Sequence, residues 1–404
     1  MQRRDVGPMR VGLFTDTYCP QVNGVATSTR MLMERLAAAG HEVFIVTTTD
    51  PDAAASTQWE EGGLIRVPSL PIMDARRFAY PAAAHLGRIK RLDLDVIHTQ
   101  TEFSVGFLGQ VAARRFGISL VHSMHTLYED YTHYVTRSRR LEPLVRRAAQ
   151  RWTRVFADRA DRVIAPTQKV AELMRQYGVV NQISVVPTGV ELARFAPGLT
   201  QPEDLAALRK QHGIGEAEKV IVYVGRLSAE KNIGELLAAM AVYLPDHEDV
   251  KLLLVGDGPG REDFGEAARD YGLTGRVVFA GEQPWERVAG YYGLADVFVS
   301  ASQSETQGLT YSEALASGLP VVARADPCLD GVLESGRNGY AFADAQEMFA
   351  ALDAVLFDPE NRRRLSRGAE QSMVRFSVEG FASSVEAIYN EVRFGAFLPC
   401  ALPV

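Results

Sequence analysis

The feature that most constrains this chain is an alternation that runs, stops and starts again. Residues 11–15 read as a short strand, 26–39 as a helix closed by Gly40, and 42–48 as a second strand. Val96-Ile97-His98 and Leu120-Val121-His122 form further strand cores. Strands separated by whole helices cannot pair as hairpins; they need crossovers, hence a mostly parallel sheet with helices on both faces. After Pro187-Thr188-Gly189-Val190 the rhythm restarts, with strands at 220–224, 251–255, 277–280, 297–300 and 320–323. Residues 191–218, with Pro197, Gly198, Pro202 and scattered charge, read as the crossing. A chain of 404 residues is also too long for one ordinary core. The expectation is an α/β protein of two Rossmann-like domains, 1–190 and 191–375, facing across a cleft. Ligands of such sheets bind beyond the carboxyl ends of the strands.

No apolar run approaches the roughly 18–20 residues that span a bilayer. The start, Met1-Gln2-Arg3-Arg4-Asp5, leads into a strand and not into an apolar signal core. Three distant cysteines (Cys19, Cys328, Cys400) make neither a disulfide framework nor a metal spacing. A cytoplasmic protein is expected. The net charge of −7 hides an asymmetry: residues 1–190 hold 24 Lys and Arg against 18 Asp and Glu, and the remainder 19 against 32. The basic half points to an anionic partner.

Glu305 and Glu313, eight apart in Ser304-Glu305-Thr306-Gln307-Gly308-Leu309-Thr310-Tyr311-Ser312-Glu313, are the most informative pair. Gly308 suits a loop, 309–317 a helix, Gly318 a position just past its end, and Pro320 forbids continuation. The backbone N–H groups of Gln307, Gly308 and Leu309 would then sit at the positive end of a helix dipole, a seat for a diphosphate. Ionised carboxylates accept hydroxyl donors, so acids flanking that seat suit a sugar on one side and a ribose on the other. The blander account is a helix with one acid favoured by the dipole and one solvated.

Val224-Gly225-Arg226-Leu227-Ser228-Ala229-Glu230-Lys231 leaves a strand at its carboxyl end, where Arg226 and Lys231 could neutralise a leaving diphosphate. A surface loop with Lys231 paired to Glu230 or Glu235 is the alternative. Gly256-Asp257-Gly258-Pro259-Gly260 lacks the G-x-G-x-x-G spacing of a dinucleotide site, and Pro259 removes a donor. It reads instead as a turn approaching a ligand. Asn23-Gly24 at the first helix would also allow close backbone approach, or be a plain turn. The stretch from His122 through His125, Tyr128, Glu129 and Asp130 reads as a polar active-site loop; its H-x-x-H lacks the second pair of a zinc site. Asp93-Leu94-Asp95 reads as a strand cap and not as a metal-binding D-x-D.

Residues 137–159 carry one helical stripe of Leu141, Leu144, Val145, Ala148, Trp152, Val155 and Phe156. Arg139, Arg140, Arg146, Arg147, Arg151 and Arg154 fill the rest. Such a helix can lie on anionic lipid, or it can pack its stripe on the sheet. Arg76-Arg77-Phe78 and Arg88-Ile89-Lys90-Arg91 add basic charge, but no nucleic-acid motif accompanies it.

Jointly, Gly225-Arg226-Leu227 with Glu230-Lys231, Val255-Gly256-Asp257-Gly258-Pro259, and Glu305 with Glu313-Ala314 and Gly318-Leu319-Pro320 resemble glycosyltransferase family 4, retaining enzymes of the GT-B fold. The resemblance runs from Arg10 to about Asn390. Phe14-Thr15-Asp16-Thr17-Tyr18, Asn23-Gly24-Val25, Gln100-Thr101-Glu102-Phe103-Ser104 and His125-Thr126-Leu127-Tyr128-Glu129-Asp130-Tyr131 are similar to the diacylglycerol glucosyltransferase branch. That branch makes glucosyl-diacylglycerol from UDP-glucose at the inner face of the cell membrane. Relatives using GDP-mannose or a phosphatidylinositol acceptor share most of the pattern.

The resemblance implies Arg226 and Lys231 on the donor diphosphate, Glu305 on the sugar and Glu313 on the ribose, with Asn23, Gly24, Gly256, Gln307, Gly308 and Leu309 lining the donor. It places His125 beside the sugar, and Asp16, Glu102, Tyr128, Glu129 and Asp130 toward a lipid acceptor. No metal or other cofactor is expected. The helix at 376–394 would cross back onto the first domain, and the tail from 395 matches nothing recognised. Two other classes compete: an NAD-dependent oxidoreductase, disfavoured by the missing fingerprint, and a non-catalytic sugar-nucleotide-binding module.

Overall fold

A computed structural model describes residues 7–21, 23–50, 63–73, 76–80, 82–127 and 141–394. The chain divides into two units, Met1–Gly189 with Val378–Val404, and Val190–Ser377.

The first unit is built on seven parallel strands: β1 (Arg10–Phe14), β2 (Glu42–Thr48), β3 (Leu64–Val67), then β6 (Val96–Thr99), β7 (Ser119–Ser123), β8 (Arg162–Ala165) and β9 (Ile183–Val185). β4 (Ser69–Met73) and β5 (Arg76–Ala79) form a separate antiparallel hairpin. The sheet order is β3-β2-β1-β6-β7-β8-β9. Both faces are covered, which is why β1, β6 and β7 read as near-continuous apolar runs. One layer joins Phe14, Val46, Ile97 and Leu108. The other joins Val11, Leu13, Leu32 and Leu36 to Phe381, Val385, Ile388 and Tyr389 of the C-terminal helix Val378–Phe394. Each such fully buried side chain contributes about 1.5–3 kcal/mol. Ion pairs from Arg162 to Glu391 (3.0 Å) and from Arg393 to Asp95 (2.6 Å) fasten the same helix. Asp95 also accepts the Arg10 backbone N–H at 2.8 Å, so it anchors β1.

The second unit repeats the plan with β10 (Lys219–Val224), β11 (Val250–Val255), β12 (Val277–Gly281), β13 (Val297–Ser300), β14 (Val321–Arg324) and β15 (Gly339–Phe342). All pairs are parallel, in the order β12-β11-β10-β13-β14-β15. This is the doubly wound order, and the topological switch lies between β10 and β13. In the first unit the equivalent switch lies between β1 and β6. Helix signals hold locally. Asn23 caps Gly24–Ala38 by accepting the Ala26 N–H at 3.0 Å. Leu309–Ala316 ends in a Schellman motif, with Leu319 N–H on the Ala314 carbonyl and Gly318 at φ 70°.

Candidate functional site

In the second unit the switch point brings two loops together. The loop after β10 carries Arg226 and a 3₁₀ turn, Ala229–Lys231; the loop after β13 carries 301–308. Lys231 Nζ donates to Glu305 Oε1 at 2.6 Å, with both side chains largely buried. Ser302 Oγ donates to the same oxygen at 2.9 Å, and Ser304 Oγ to the Glu230 carbonyl at 3.0 Å. Asn232, in the left-handed region at φ 54°, donates to the Ala301 carbonyl at 3.0 Å. The two loops are thus stitched into one rigid floor, with exposed Arg226 at its edge. The sequence alternative of Lys231 paired to Glu230 or Glu235 gives way to Glu305.

Gly308 caps the start of Leu309–Ala316 at φ 71°, and a Cβ there would come within 2.3 Å of the Tyr311 ring. Only glycine lets the loop turn over Tyr311 into the helix. Inside the helix, the Tyr292 hydroxyl donates to Glu313 Oε2 at 2.8 Å. The residue keeps some surface, but its carboxyl end lies among protein atoms. Loss of water there pushes its pKa up to about 7, with the Tyr292 hydrogen bond pulling it partly back.

Gly256 is required to be glycine by the neighbouring strand. A Cβ at its φ of 134° would lie 2.0 Å from the Gly225 carbonyl oxygen, so β10 and β11 need it to leave the sheet side by side.

In the first unit, the switch between β1 and β6 is closed by side chains. Asp16 is buried, and its carboxylate accepts Thr101 Oγ1 (2.6 Å), Ser104 Oγ and the Val105 N–H (2.9 Å). Burial raises its pKa while these hydrogen bonds lower it. Expected toward an acceptor, Asp16 instead caps the helix Ser104–Phe116, with both oxygens used. Glu102 is corrected likewise: it is buried, with Oε1 3.2 Å from His122 Nε2. His98 is also internal, bridging Tyr389 (2.6 Å) and Ser123 (2.8 Å).

His125 differs from its neighbours. It follows β7, keeps part of its surface open, and donates from Nε2 to Gln100 Oε1 at 2.8 Å. Desolvation, helped by His122, lowers its pKa to about 4, so it is neutral near pH 7. Asn23 is exposed and serves as the cap of the first helix. Tyr128, Glu129, Asp130, Arg139 and Arg140 lie outside the described residues.

The basic helix is Glu142–Ala157. It buries Thr153, Phe156 and Ala157 but leaves Leu144 (62% exposed), Trp152 (43%), Leu141 and Val155 at the surface among exposed Arg146, Arg147, Arg151 and Arg154. The stripe is therefore mostly open and not packed on the sheet. Trp152 Nε1 donates to the Glu102 carbonyl at 3.2 Å, and the hairpin's Ala79 N–H donates to Ser104 Oγ at 2.8 Å. Exposed Leu70, Ile72, Phe78, Tyr80, Phe103 and Phe107 belong to these same connected elements. The hairpin and its apolar side chains were absent from the sequence reading; alternation of large apolar residues in 70–80 is the signal that could have found them. Among the described residues no helix is long and apolar enough to cross a membrane, and no His, Cys, Asp and Glu group could hold a metal.

Comparison with known proteins bears on what these loops serve. A profile described as Glycosyltransferase Family 4 matches residues 22–194, and one described as Glycosyl transferases group 1 matches 205–372. An alpha-monoglucosyldiacylglycerol synthase of Streptococcus pneumoniae is 41% identical, over 94% of this chain and 85% of its own. The chain belongs to glycosyltransferase family 4. A protein of the same name from Acholeplasma laidlawii is 32% identical over 95% of this chain and 97% of its own. The crystal structure of Anabaena HepE in complex with UDP and glucose superposes at a TM-score of 0.77, covering 95% of this chain and 99% of that one at 20% identity. Its likeness is one of fold. This family 4 glycosyltransferase has the GT-B fold of two parallel-sheet Rossmann-like domains. The switch-point loops that hold Lys231 and Glu305 come from the part matched by the second profile, and His125 from the part matched by the first.

Proposed function

We propose that this hexosyltransferase moves glucose from UDP-glucose to the 3-hydroxyl of 1,2-diacylglycerol, with retention of configuration, at an anionic membrane surface. The observation that carries the reading is the Lys231–Glu305 contact at the switch point of the second sheet. A cation and a hydroxyl acceptor sit side by side there, as a diphosphate joined to a sugar requires. The names of the 41% and 32% identical relatives support the sugar and the lipid.

In this reading Arg226 and Lys231 neutralise the charge that develops on the leaving UDP, where a preformed cation needs no reorganisation. Glu305, steadied by Ser302, accepts hydrogen bonds from the sugar hydroxyls. Glu313 accepts from the ribose, and Gln307, Gly308 and Leu309 present the helix start to the phosphates. His125, neutral and partly open, hydrogen-bonds the transferred sugar on its acceptor side, with Asn23 and Gly24 contributing near the phosphates. The same-face departure of UDP lets a phosphate oxygen take the acceptor hydroxyl proton as the new glycosidic bond forms, so no protein nucleophile is needed. The catalytic contribution is positioning and charge stabilisation. Arg146, Arg147, Arg151 and Arg154, with Leu144 and Trp152 between them, suit a peripheral contact with anionic lipid that brings the enzyme to its acceptor.

Release of UDP from a panel of sugar nucleotides, measured with diacylglycerol in phosphatidylglycerol vesicles, tests the assignment. UDP-glucose should give the fastest release and a product of one hexose per diacylglycerol, with an α anomeric signal by NMR. Preference for a guanosine donor, or no lipid product with any donor, overturns it.

A further inference from the structure

We propose that Gln100 is a positioning residue that holds His125 in its Nε2–H tautomer; this rests on the reading of His125 as facing the transferred sugar. Gln100 is the first residue beyond β6 and is 2% exposed. Its backbone N–H donates to the Phe14 carbonyl at 2.8 Å, locking it against the end of β1. Its Oε1 lies 2.8 Å from His125 Nε2. A carboxamide oxygen only accepts, so Nε2 carries the proton and Nδ1 keeps the lone pair.

The rest of the cluster explains why this residue is needed. His122 is occupied by Glu102 and Thr99, and His98 by Tyr389 and Ser123, so each takes its tautomer from the framework. His125 sits on the loop after β7 and takes Gln100. A neutral imidazole has one donor and one acceptor, and the hydrogen bond at one nitrogen decides what the other offers a ligand. The buried Gln100 amide nitrogen has no hydrogen-bond partner. A residue kept only for packing would be better served by an apolar side chain, since a buried unmet donor is costly. What glutamine supplies is a neutral acceptor. Glutamate would supply a charged one and draw His125 toward imidazolium.

Two variants separate these roles: Gln100→Leu removes the acceptor, and Gln100→Glu keeps it with charge. Rates with UDP-glucose and diacylglycerol are read across pH, alongside UDP affinity, which reports the second unit. Among the described residues, the titratable groups that act on His125 are His98 on β6 and His122 on β7, and both are unchanged in both variants. Gln100→Leu should lower kcat by about tenfold or more with UDP affinity intact. Gln100→Glu should keep activity at alkaline pH and move the acid limb upward by about one unit, because the carboxylate favours the charged ring. The ¹⁵N spectrum of His125 in the wild type should show the Nε2–H form.

A wild-type Nδ1–H tautomer overturns the proposal without reference to activity. So does an unmoved acid limb in Gln100→Glu where His125→Ala is inactive; this leaves the reading of His125 standing. Full activity in His125→Ala removes the reading itself, and the proposal with it. If Gln100→Leu fails to fold, the glutamate variant and the spectrum decide.

Discussion

The two sheets share one winding and treat their switch points in opposite ways. In the second unit the loops after β10 and β13 hold a largely buried ion pair, Lys231 with Glu305, and an exposed Arg226. In the first unit the loops after β1 and β6 are knitted shut around Asp16, Thr101 and Ser104, and the open group is a neutral histidine one strand further on. The same topology thus yields a cation paired with a carboxylate in one copy and, in the other, a buried carboxylate whose hydrogen bonds are filled from within. The difference is chemical: it comes from which side chains the loops spend on themselves. Asp16 spends both oxygens on a helix start, whereas Glu305 takes a lysine and a serine on one oxygen.

The largest effect should come from breaking the charged seat. Lys231→Ala removes a cation from the diphosphate side and from beside Glu305. A loss on the order of 2–4 kcal/mol of transition-state stabilisation is expected, or roughly 30- to 900-fold in kcat/KM for the donor. Near-normal kcat/KM in that variant would remove the pair from the site and leave the two switch points without a functional distinction.

The second test concerns the outer face of the first unit. Changing Arg146, Arg147, Arg151 and Arg154 to Ser should loosen binding to phosphatidylglycerol vesicles at low salt, at about 1 kcal/mol per charge, and the difference should fade as salt rises. UDP affinity should not move, since the proposed donor contacts lie in the other unit. Co-sedimentation that is equal for both proteins and insensitive to salt would mean that the open apolar stripe serves something other than lipid.

Much of this was legible in the sequence, and the failures have one cause. Strand cores, the Asn23 cap and the Gly318 terminus depend on neighbours in the chain, and periodicity and capping chemistry report those neighbours. Strand order does not, so the reading placed Arg226, Lys231 and Glu305 at strand ends without knowing that β10 and β13 are adjacent. Asp16 and Glu102 look like surface acids in a polar motif; only the fold puts Ser104, Val105 and His122 against them. The steric need for glycine at 256 is hidden in the same way, because the Gly225 carbonyl that requires it lies beyond another strand. The basic helix was legible as amphipathic, but which side of it meets the sheet depends on Phe156 docking near His122, a contact between distant residues (ring centroids 4.9 Å).

A third, smaller effect separates Glu313 from Glu305. With its folded pKa at about 7 against 4.5 for the free side chain, Glu313 binds its proton more tightly folded than unfolded. Its contribution to stability is therefore full below about pH 4.5 and is lost as pH rises through 7. Glu313→Gln removes that loss. Thermal melts of the UDP-free proteins should show the variant gaining on the order of 1–2 kcal/mol relative to wild type on going from pH 5 to pH 8. A gap independent of pH would place the carboxylate in water.

The smallest expected effect is none, and it tests what the charged seat is for. A family 4 enzyme must neutralise a departing diphosphate, and either a divalent ion or fixed side chains can supply the charge. Fixed cations suit the second unit because Lys231 is already positioned: Glu305 and the Ser302 contact hold the loop before any donor arrives. A bound metal would instead need carboxylates turned inward, yet Glu305 is committed to Lys231 and Glu313 to Tyr292. Glucosyl transfer in excess EDTA should therefore proceed at the untreated rate, and added Mg²⁺ or Mn²⁺ should not raise it. Collapse in EDTA with recovery on Mg²⁺ would assign the neutralising charge to an ion. Lys231 would then be a partner that holds Glu305 in place, and the contrast between the two switch points would lie in geometry and not in charge.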